Sequence, residues 1–221
     1  MSVTRLARFW HSTLGKKVVM GATGLIMVGF VIAHMLGNLQ AFESAEKFNA
    51  YGAMLHGPLH EIVLALRVVL LVSVGLHIVA AWQLTVRGRA ARPAGYARQA
   101  PQMSTLASRS IRLGGVVLLL FIPYHLLHFT TGDVHPDFIP GDVYHNLVTG
   151  LARPGVALFY IVAMLALGLH LYHGAWSAFR TLGIGPEDPH PRHRPLTTAV
   201  AAVVWLGFTA IPVAVLLGWL R

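Results

Sequence analysis

Five long apolar stretches limit what this chain of 221 residues can fold into. A helix needs about 20 mostly apolar residues to cross a bilayer. Hydrophobic residues make up 55% of the chain and charged residues only 11%, a balance that differs from that of soluble domains. We therefore predict an all-α fold: a single integral membrane domain over residues 1–221, built as a five-transmembrane-helix bundle. The predicted spans are 17–38, 62–86, 108–129, 156–179 and 197–220.

Lysine and arginine residues predict the orientation of the bundle. They precede the first span and fill the connections between spans two and three and between spans four and five, whereas the opposite loops hold most of the acids. The positive-inside rule then places the N-terminus in the cytoplasm. We interpret the net charge of +9 as a topology signal and a docking face. No nucleic acid is expected as a partner, because no nucleic-acid-binding motif accompanies the charge.

One histidine lies in each of the first four predicted spans: His34, His77, His125 and His170. An ionisable side chain in hydrocarbon is costly and therefore marks a functional site. His77 and His170 each precede an arginine at the cytoplasmic end by ten residues, about 15 Å along a helix, whereas His34 and His125 lie nearer the outer surface. Paired neutral imidazoles in a bundle core can hold low-spin haem iron. We predict two haems b, an inner one on His77 and His170 and an outer one on His34 and His125.

The residues alone leave two alternatives open. His128 and His173 each lie one helical turn from a predicted ligand, and either could replace its neighbour. A haem-free, histidine-lined transporter is the rival reading from a different class of protein. Such transporters normally add carboxylates inside the membrane, and here only Glu61 stands at the edge of a span. The chain has no cysteine, which excludes disulfides, thiolate clusters and covalent haem attachment through cysteine.

Several further residues receive a predicted role from their position beside the spans. Arg67, Arg112 and Arg180 either extend towards the membrane surface or bind the propionates of a haem. Gly29, Gly37, Gly75 and Gly168 either make room for a flat macrocycle or allow close helix packing. The aromatic residues near the span ends are expected to serve packing or the membrane interface; they are Trp82, Tyr160, Tyr172 and Trp176.

Three segments resemble a known family, the cytochrome b membrane anchors of succinate dehydrogenase and fumarate reductase in their single-polypeptide, two-haem form. They are residues 34–38, 112–125 and 170–177. The third is the most specific, because glycine and tryptophan follow its histidine by four and six residues. The likeness selects His125 over His128 and His170 over His173 as the ligands.

The resemblance implies a role and a set of partners. Such an anchor lies in the bacterial cytoplasmic membrane and docks a flavoprotein that carries FAD and an iron–sulfur subunit on its cytoplasmic face. It belongs to respiratory complex II, and it passes electrons from succinate to menaquinone or another quinone without binding succinate itself. The resemblance is also compatible with an oligomer of the entire complex. The alternative within the same class is the cytochrome b anchor of another quinone-linked enzyme, of the formate dehydrogenase or hydrogenase type.

A quinone site at the inner surface follows from the same resemblance. Quinone carbonyls need hydrogen-bond donors near the bilayer edge, and Trp10, His11 and Ser12 stand immediately before the first span. We therefore predict that these three residues form a quinone site close to the inner haem. The alternative is an outer site in the loop of residues 39–61, with Gln40 or Glu61.

Overall fold

The computed structural model describes residues 2–91, 106–184 and 194–221, and this part of the chain is helical without strands. Five helices are long and apolar enough to cross a membrane, which confirms the predicted five-span, all-α fold. The described helices are α1 (Ser2–His11), α2 (Thr13–Leu39), α3 (Ala45–His56), α4 (His60–Ala90), α5 (Leu106–Phe129), α6 (Val143–Leu151), α7 (Pro154–Thr181) and α8 (Pro195–Leu216), with a 3₁₀ turn at Gln40–Phe42.

The first helices are separated by a cap at Ser12. Its hydroxyl oxygen accepts a hydrogen bond from the N–H of Gly15 at 2.8 Å, and its O–H donates to the carbonyl of Phe9 at 2.8 Å. An N-cap serine satisfies an amide that the first turn of a helix leaves unpaired. Helix α1 therefore ends and α2 begins at this residue.

The five spanning helices pack around α2 and α7. Helix α4 packs on α2, α5 packs on α7, α2 and α7 contact each other, and α8 packs on both. Among the described residues, α2 and α5 are not a closely packed pair, and neither are α4 and α7. The helices predicted to share a haem thus lie opposite each other across the interior rather than side by side.

The basic end of the bundle is defined here by Lys16, Lys17, Arg87 and Arg180, where α2 begins and α4 and α7 end. Many large apolar side chains of α4 and α5 are exposed, including Leu71 and Leu120. A helix that is apolar on its outward face fits a lipid surrounding.

The other end of the bundle is covered by the short helices α3 and α6. The side-chain amide of Asn49 donates to Asp142 Oδ1 at 2.9 Å, and the N–H of Tyr144 donates to Asn49 Oδ1 at 2.9 Å. Asp142 also caps α6 by accepting from the N–H of His145 at 2.9 Å. The hydrogen bonds from His145 and Asn49 hold the pKa of the Asp142 carboxyl below its usual value. These bonds fix α3 against α6.

Candidate functional site

The structure brings the predicted outer pair together. The ring centres of His34 and His125 are 5.9 Å apart, with their planes at 81°. Each imidazole stacks on an aromatic ring one turn earlier in its own helix: His34 on Phe30 at 5.4 Å and His125 on Phe121 at 5.5 Å. Contacts at this helical spacing restrict the side-chain rotamers, so both imidazoles are held facing the bundle interior.

The predicted inner pair also comes together. The ring centres of His77 and His170 lie 6.1 Å apart. Nδ1 of His77 lies 3.0 Å from the carbonyl oxygen of Met20, which requires the N–H to be on Nδ1. That tautomer leaves Nε2 as the free electron pair donor, and such a backbone contact commonly orients a metal-binding histidine. Nδ1 of His170 is buried without a hydrogen-bond partner.

The spacing of the two pairs fits a metal atom between the rings. An imidazole nitrogen binds a transition metal at about 2.0 Å and lies roughly 1.1 Å from its ring centre, so rings on opposite sides of one metal have centres roughly 6 Å apart. The observed separations are 5.9 Å for the outer pair and 6.1 Å for the inner pair. Both separations match the distance expected for two imidazoles on opposite sides of one metal atom.

The donor set suits a haem iron better than a free ion. In the described residues, no group of three or more histidine, cysteine or carboxylate side chains could hold a metal ion. A protein site for a free zinc ion usually supplies three or four ligands. Two neutral imidazoles are sufficient when a porphyrin supplies the other four. The histidine pairs therefore match a haem better than a transported ion.

The four glycines near the ligands divide into two groups. A Cβ added at Gly29 or Gly75 would have no heavy atom within 4 Å, which fits the need for room beside a macrocycle. A Cβ at Gly37 would lie 2.7 Å from a tyrosine of α3, and one at Gly168 would lie 3.0 Å from a tryptophan of α8. Gly37 and Gly168 thus serve close helix packing, the competing explanation.

His128, one turn from His125 on α5, does not face His34 of the outer pair. Its side chain is only 1% exposed. Its Nδ1 lies 2.9 Å from the hydroxyl of Tyr160, and its ring faces His135 at 5.0 Å. The Tyr160 hydroxyl also lies 3.4 Å from Nδ1 of His125. Sequence reasoning assigns Tyr160 to packing or the membrane interface and misses this link, because its spacing along α7 does not reveal that it faces two histidines of α5.

The three arginines predicted to bind propionates, Arg67, Arg112 and Arg180, have exposed side chains, and none of them lines either of the two clefts at the basic end. The guanidinium of Arg180 lies over the ring of Trp176, 5.9 Å from its centre. The predicted roles of these arginines therefore gain no support from their placement.

A cleft of about 340 Å³ at the basic end includes two of the three residues predicted for a quinone site. Lys16 is only 1% exposed, and its ammonium lies 4.1 Å from the ring centre of Trp10. Oε1 of Gln83 is buried without a hydrogen-bond partner. Ser12, in contrast, caps α2 and is not among the lining residues. The cleft is lined by Trp10, His11, Lys16, Trp82, Gln83, Val86 and Arg87.

The chain is similar to membrane subunits of succinate dehydrogenase and fumarate reductase. Residues 88–210 match the family model of the succinate dehydrogenase/fumarate reductase transmembrane subunit, a range that includes His125 and His170. The succinate dehydrogenase cytochrome b558 subunit of Bacillus subtilis (strain 168) is 25% identical over 189 residues, covering 85% of this chain and 88% of that protein. No solved structure gives a significant match.

Proposed function

Because the chain belongs to the succinate dehydrogenase/fumarate reductase transmembrane subunit family, we propose that it is the haem- and quinone-binding membrane anchor of a succinate:quinone oxidoreductase. It is a multi-pass protein of the cytoplasmic membrane and belongs to an enzyme complex. The two opposed histidine pairs are the observation that carries the proposal. In this role the chain passes electrons from the iron–sulfur subunit to menaquinone or another quinone, and it does not bind succinate.

Each histidine pair holds one haem b. His34 and His125 bind the outer haem, and His77 and His170 bind the inner haem. A haem with two imidazole ligands supplies a low-spin, one-electron carrier without an open coordination position. Around the inner pair, the carbonyl of Met20 fixes the tautomer of His77 and leaves Nε2 as the nitrogen that would bind the iron. Around the outer pair, the stacked phenylalanines fix the ring planes.

The cleft lined by Trp10, His11 and Lys16, the quinone cleft, has the chemistry of a quinone site. The ammonium of Lys16 and the imidazole of His11 can donate hydrogen bonds to carbonyl oxygens, and Trp10 and Trp82 form apolar walls. The positive charge of Lys16 would stabilise a partly reduced, negatively charged quinone. Because the cleft lies at the membrane edge, the isoprenoid tail of a bound quinone could extend into the lipid.

The basic end fits the docking of the soluble subunits. Membership of the family implies association with a flavoprotein and an iron–sulfur subunit. The positive-inside rule places the basic end in the cytoplasm, where FAD and the iron–sulfur clusters of these partners would lie. Electrons then enter the bundle at the end that holds both the cleft and the inner histidine pair.

Haem content and visible spectra of the purified complex test the proposal. We expect a b-type reduced-minus-oxidised spectrum and two haems per chain. His77→Ala or His170→Ala should remove one haem, and His34→Ala or His125→Ala should remove the other. His128→Gln and His173→Gln are the matched controls, since each alters a histidine one turn from a ligand, and both haems should remain.

Two results would contradict the proposal. A folded, colourless wild-type protein would exclude haem binding and favour the transporter. Co-purification with the subunits of a formate dehydrogenase or a hydrogenase, rather than with a succinate-oxidising flavoprotein, would assign the anchor to another enzyme.

A further inference from the structure

A second cleft, of about 530 Å³, lies between α2, α4 and α7 at the basic end. We propose that this cleft, the propionate cleft, binds the carboxylates of the inner haem's propionates. This inference rests on the proposed function, because it assumes a haem on His77 and His170. The cleft is lined by Thr13, Lys17, Met20, Leu84, Arg87, Gly88, Ala91, Ser177 and Thr181.

The propionate cleft adjoins the inner histidine pair. Met20 lines the cleft, and its carbonyl oxygen lies 3.0 Å from Nδ1 of His77. Leu84 and Ser177 follow His77 and His170 by the same seven residues, about 10 Å along each helix. Both opposed helices therefore reach the cleft at the same depth below their ligands. That distance is within reach of the propionate arms of a porphyrin that stands between the two imidazoles.

The charges of the propionate cleft suit two carboxylates. Lys17 and Arg87 supply two positive charges from different helices, and Thr13 and Ser177 add hydroxyl groups. None of the described lining residues is acidic. Hydrogen bonds between carboxylates and a guanidinium or ammonium group are stronger than those between neutral groups. A haem that presents both propionates from one edge would therefore find one cation for each.

Arg87 is held in a defined position. Its Nη1 donates to the carbonyl of His11 at 2.9 Å, which ties α4 to α1. A guanidinium has five N–H donors, so this bond leaves others for a carboxylate. Arg87 also lines the neighbouring quinone cleft. The same side chain thus borders both clefts. Arg112 and Arg180 do not line the propionate cleft, so Arg87 replaces them as the arginine best placed for a propionate.

An anionic phospholipid has a similar chemistry, since its phosphate also seeks cations at a membrane surface. The direct connection of the cleft to His77 through Met20 favours the haem. A lipid phosphate needs no such connection. The two ligands are separated by measuring the haem and the retained lipid in the same variants.

The test is a redox titration of the purified complex that carries Arg87→Gln, Lys17→Gln or both. Removal of a nearby positive charge disfavours the reduced haem, so its midpoint potential should fall. In the double variant we expect the ratio of reduced to oxidised inner haem at a fixed potential to fall about tenfold, which is about 59 mV for a one-electron couple. The propionate bending bands in the resonance Raman spectrum should shift as well.

Arg89→Gln is the matched control. Arg89 is an exposed residue on the same last turn of α4, and its loss removes the same charge without touching the propionate cleft. We expect both haems to be retained in all variants and the outer haem to keep its potential. The inner haem is identified as the spectral component of the redox titration that is absent in His77→Ala.

Two results would overturn the inference, and a third would refute the proposed function on which it rests. Equal potentials and Raman bands in the double variant and in Arg89→Gln would overturn it. Loss of bound anionic phospholipid with unchanged haem spectra would assign the cleft to lipid and also overturn it. A wild-type complex without haem would instead refute the proposed function, and haem analysis of the wild type detects this before any variant is made.

Discussion

Tyr160 shows how one hydroxyl can organise a buried group of histidines. It lies 2.9 Å from Nδ1 of His128 and 3.4 Å from Nδ1 of His125. His128 is almost fully buried, and its Nε2 has no hydrogen-bond partner in the described structure. The Tyr160 hydroxyl is thus the polar contact that satisfies the other nitrogen of this imidazole. It also connects the predicted outer ligand to a second histidine.

Tyr160→Phe should destabilise the protein, because it leaves Nδ1 of His128 buried without a partner. An unsatisfied buried polar group costs about 1–3 kcal/mol. Thermal unfolding in detergent measures the loss. Tyr172→Phe is the control, since it removes the same hydroxyl from the same helix at a ring that lies beside Arg194. Equal stability of the two variants would show that the Tyr160 contact contributes nothing.

Depth along a helix could be predicted from the sequence, whereas rotation about the helix axis could not. The constant rise per residue pairs His34 with His125 and His77 with His170, and the structure brings these rings together. Which way a cation points depends on packing between helices. Nothing in the sequence therefore favours Arg87, which lines the propionate cleft, over Arg180, which does not.

The ends of the spanning helices differ from the predicted spans for identifiable reasons. Helix α4 runs to Ala90 rather than 86, since arginine is a good helix former even after hydropathy falls. Helix α8 ends at Leu216 rather than 220, because the chain turns at Gly218, whose φ is +71°. Pro195 begins α8 two residues earlier than predicted, a first-turn position that suits proline. Hydropathy locates a span, and local backbone chemistry sets its ends.

Helix α1 depends on a glycine at its junction with α2. A Cβ at Gly15 would lie 1.9 Å from the carbonyl oxygen of Phe9, closer than any real contact. The chain can therefore turn at Ser12 only while residue 15 lacks a side chain. The junction positions Trp10 and His11 in the quinone cleft.

Gly15→Ala should displace α1 and weaken quinone binding while both haems remain. We expect the KM for a soluble quinone to rise several-fold, because Trp10 and His11 leave their positions in the cleft. Steady-state quinone reduction gives the KM, and pyridine haemochromogen spectra give the haem content. Gly155→Ala is the control, since a Cβ there meets no atom within 4 Å. An unchanged KM in Gly15→Ala would show that α1 does not shape the quinone site.

The orientation of the bundle follows from charge at its two ends. The basic end holds Lys16, Lys17, Arg87 and Arg180, whereas Glu43, Asp137 and Asp142 lie at the other end. The positive-inside rule places the basic end in the cytoplasm. On the proposed function, the soluble subunits dock on that side, so the orientation of the bundle decides where electrons enter it.

Single cysteines can test this orientation directly, because the chain has none of its own. Asp137→Cys should react with a membrane-impermeant maleimide in intact spheroplasts. Arg89→Cys should react only after the membrane is permeabilised. Both positions have exposed side chains, so access to the reagent depends on the side of the membrane. The reverse pattern would invert the topology and move the docking face to the outside.

The crosswise arrangement of the four histidine-bearing helices bears on how the protein is made. The outer pair joins the first and third spans, α2 and α5, and the inner pair joins the second and fourth spans, α4 and α7. A nascent chain that has released only its first two spans holds two unmatched histidines. The outer histidine pair is complete only once α5 has entered the bilayer, and the inner pair is complete only once α7 has followed. On the proposed function, haem binding is therefore a late event in biosynthesis, and a chain that terminates before α7 cannot form the inner pair.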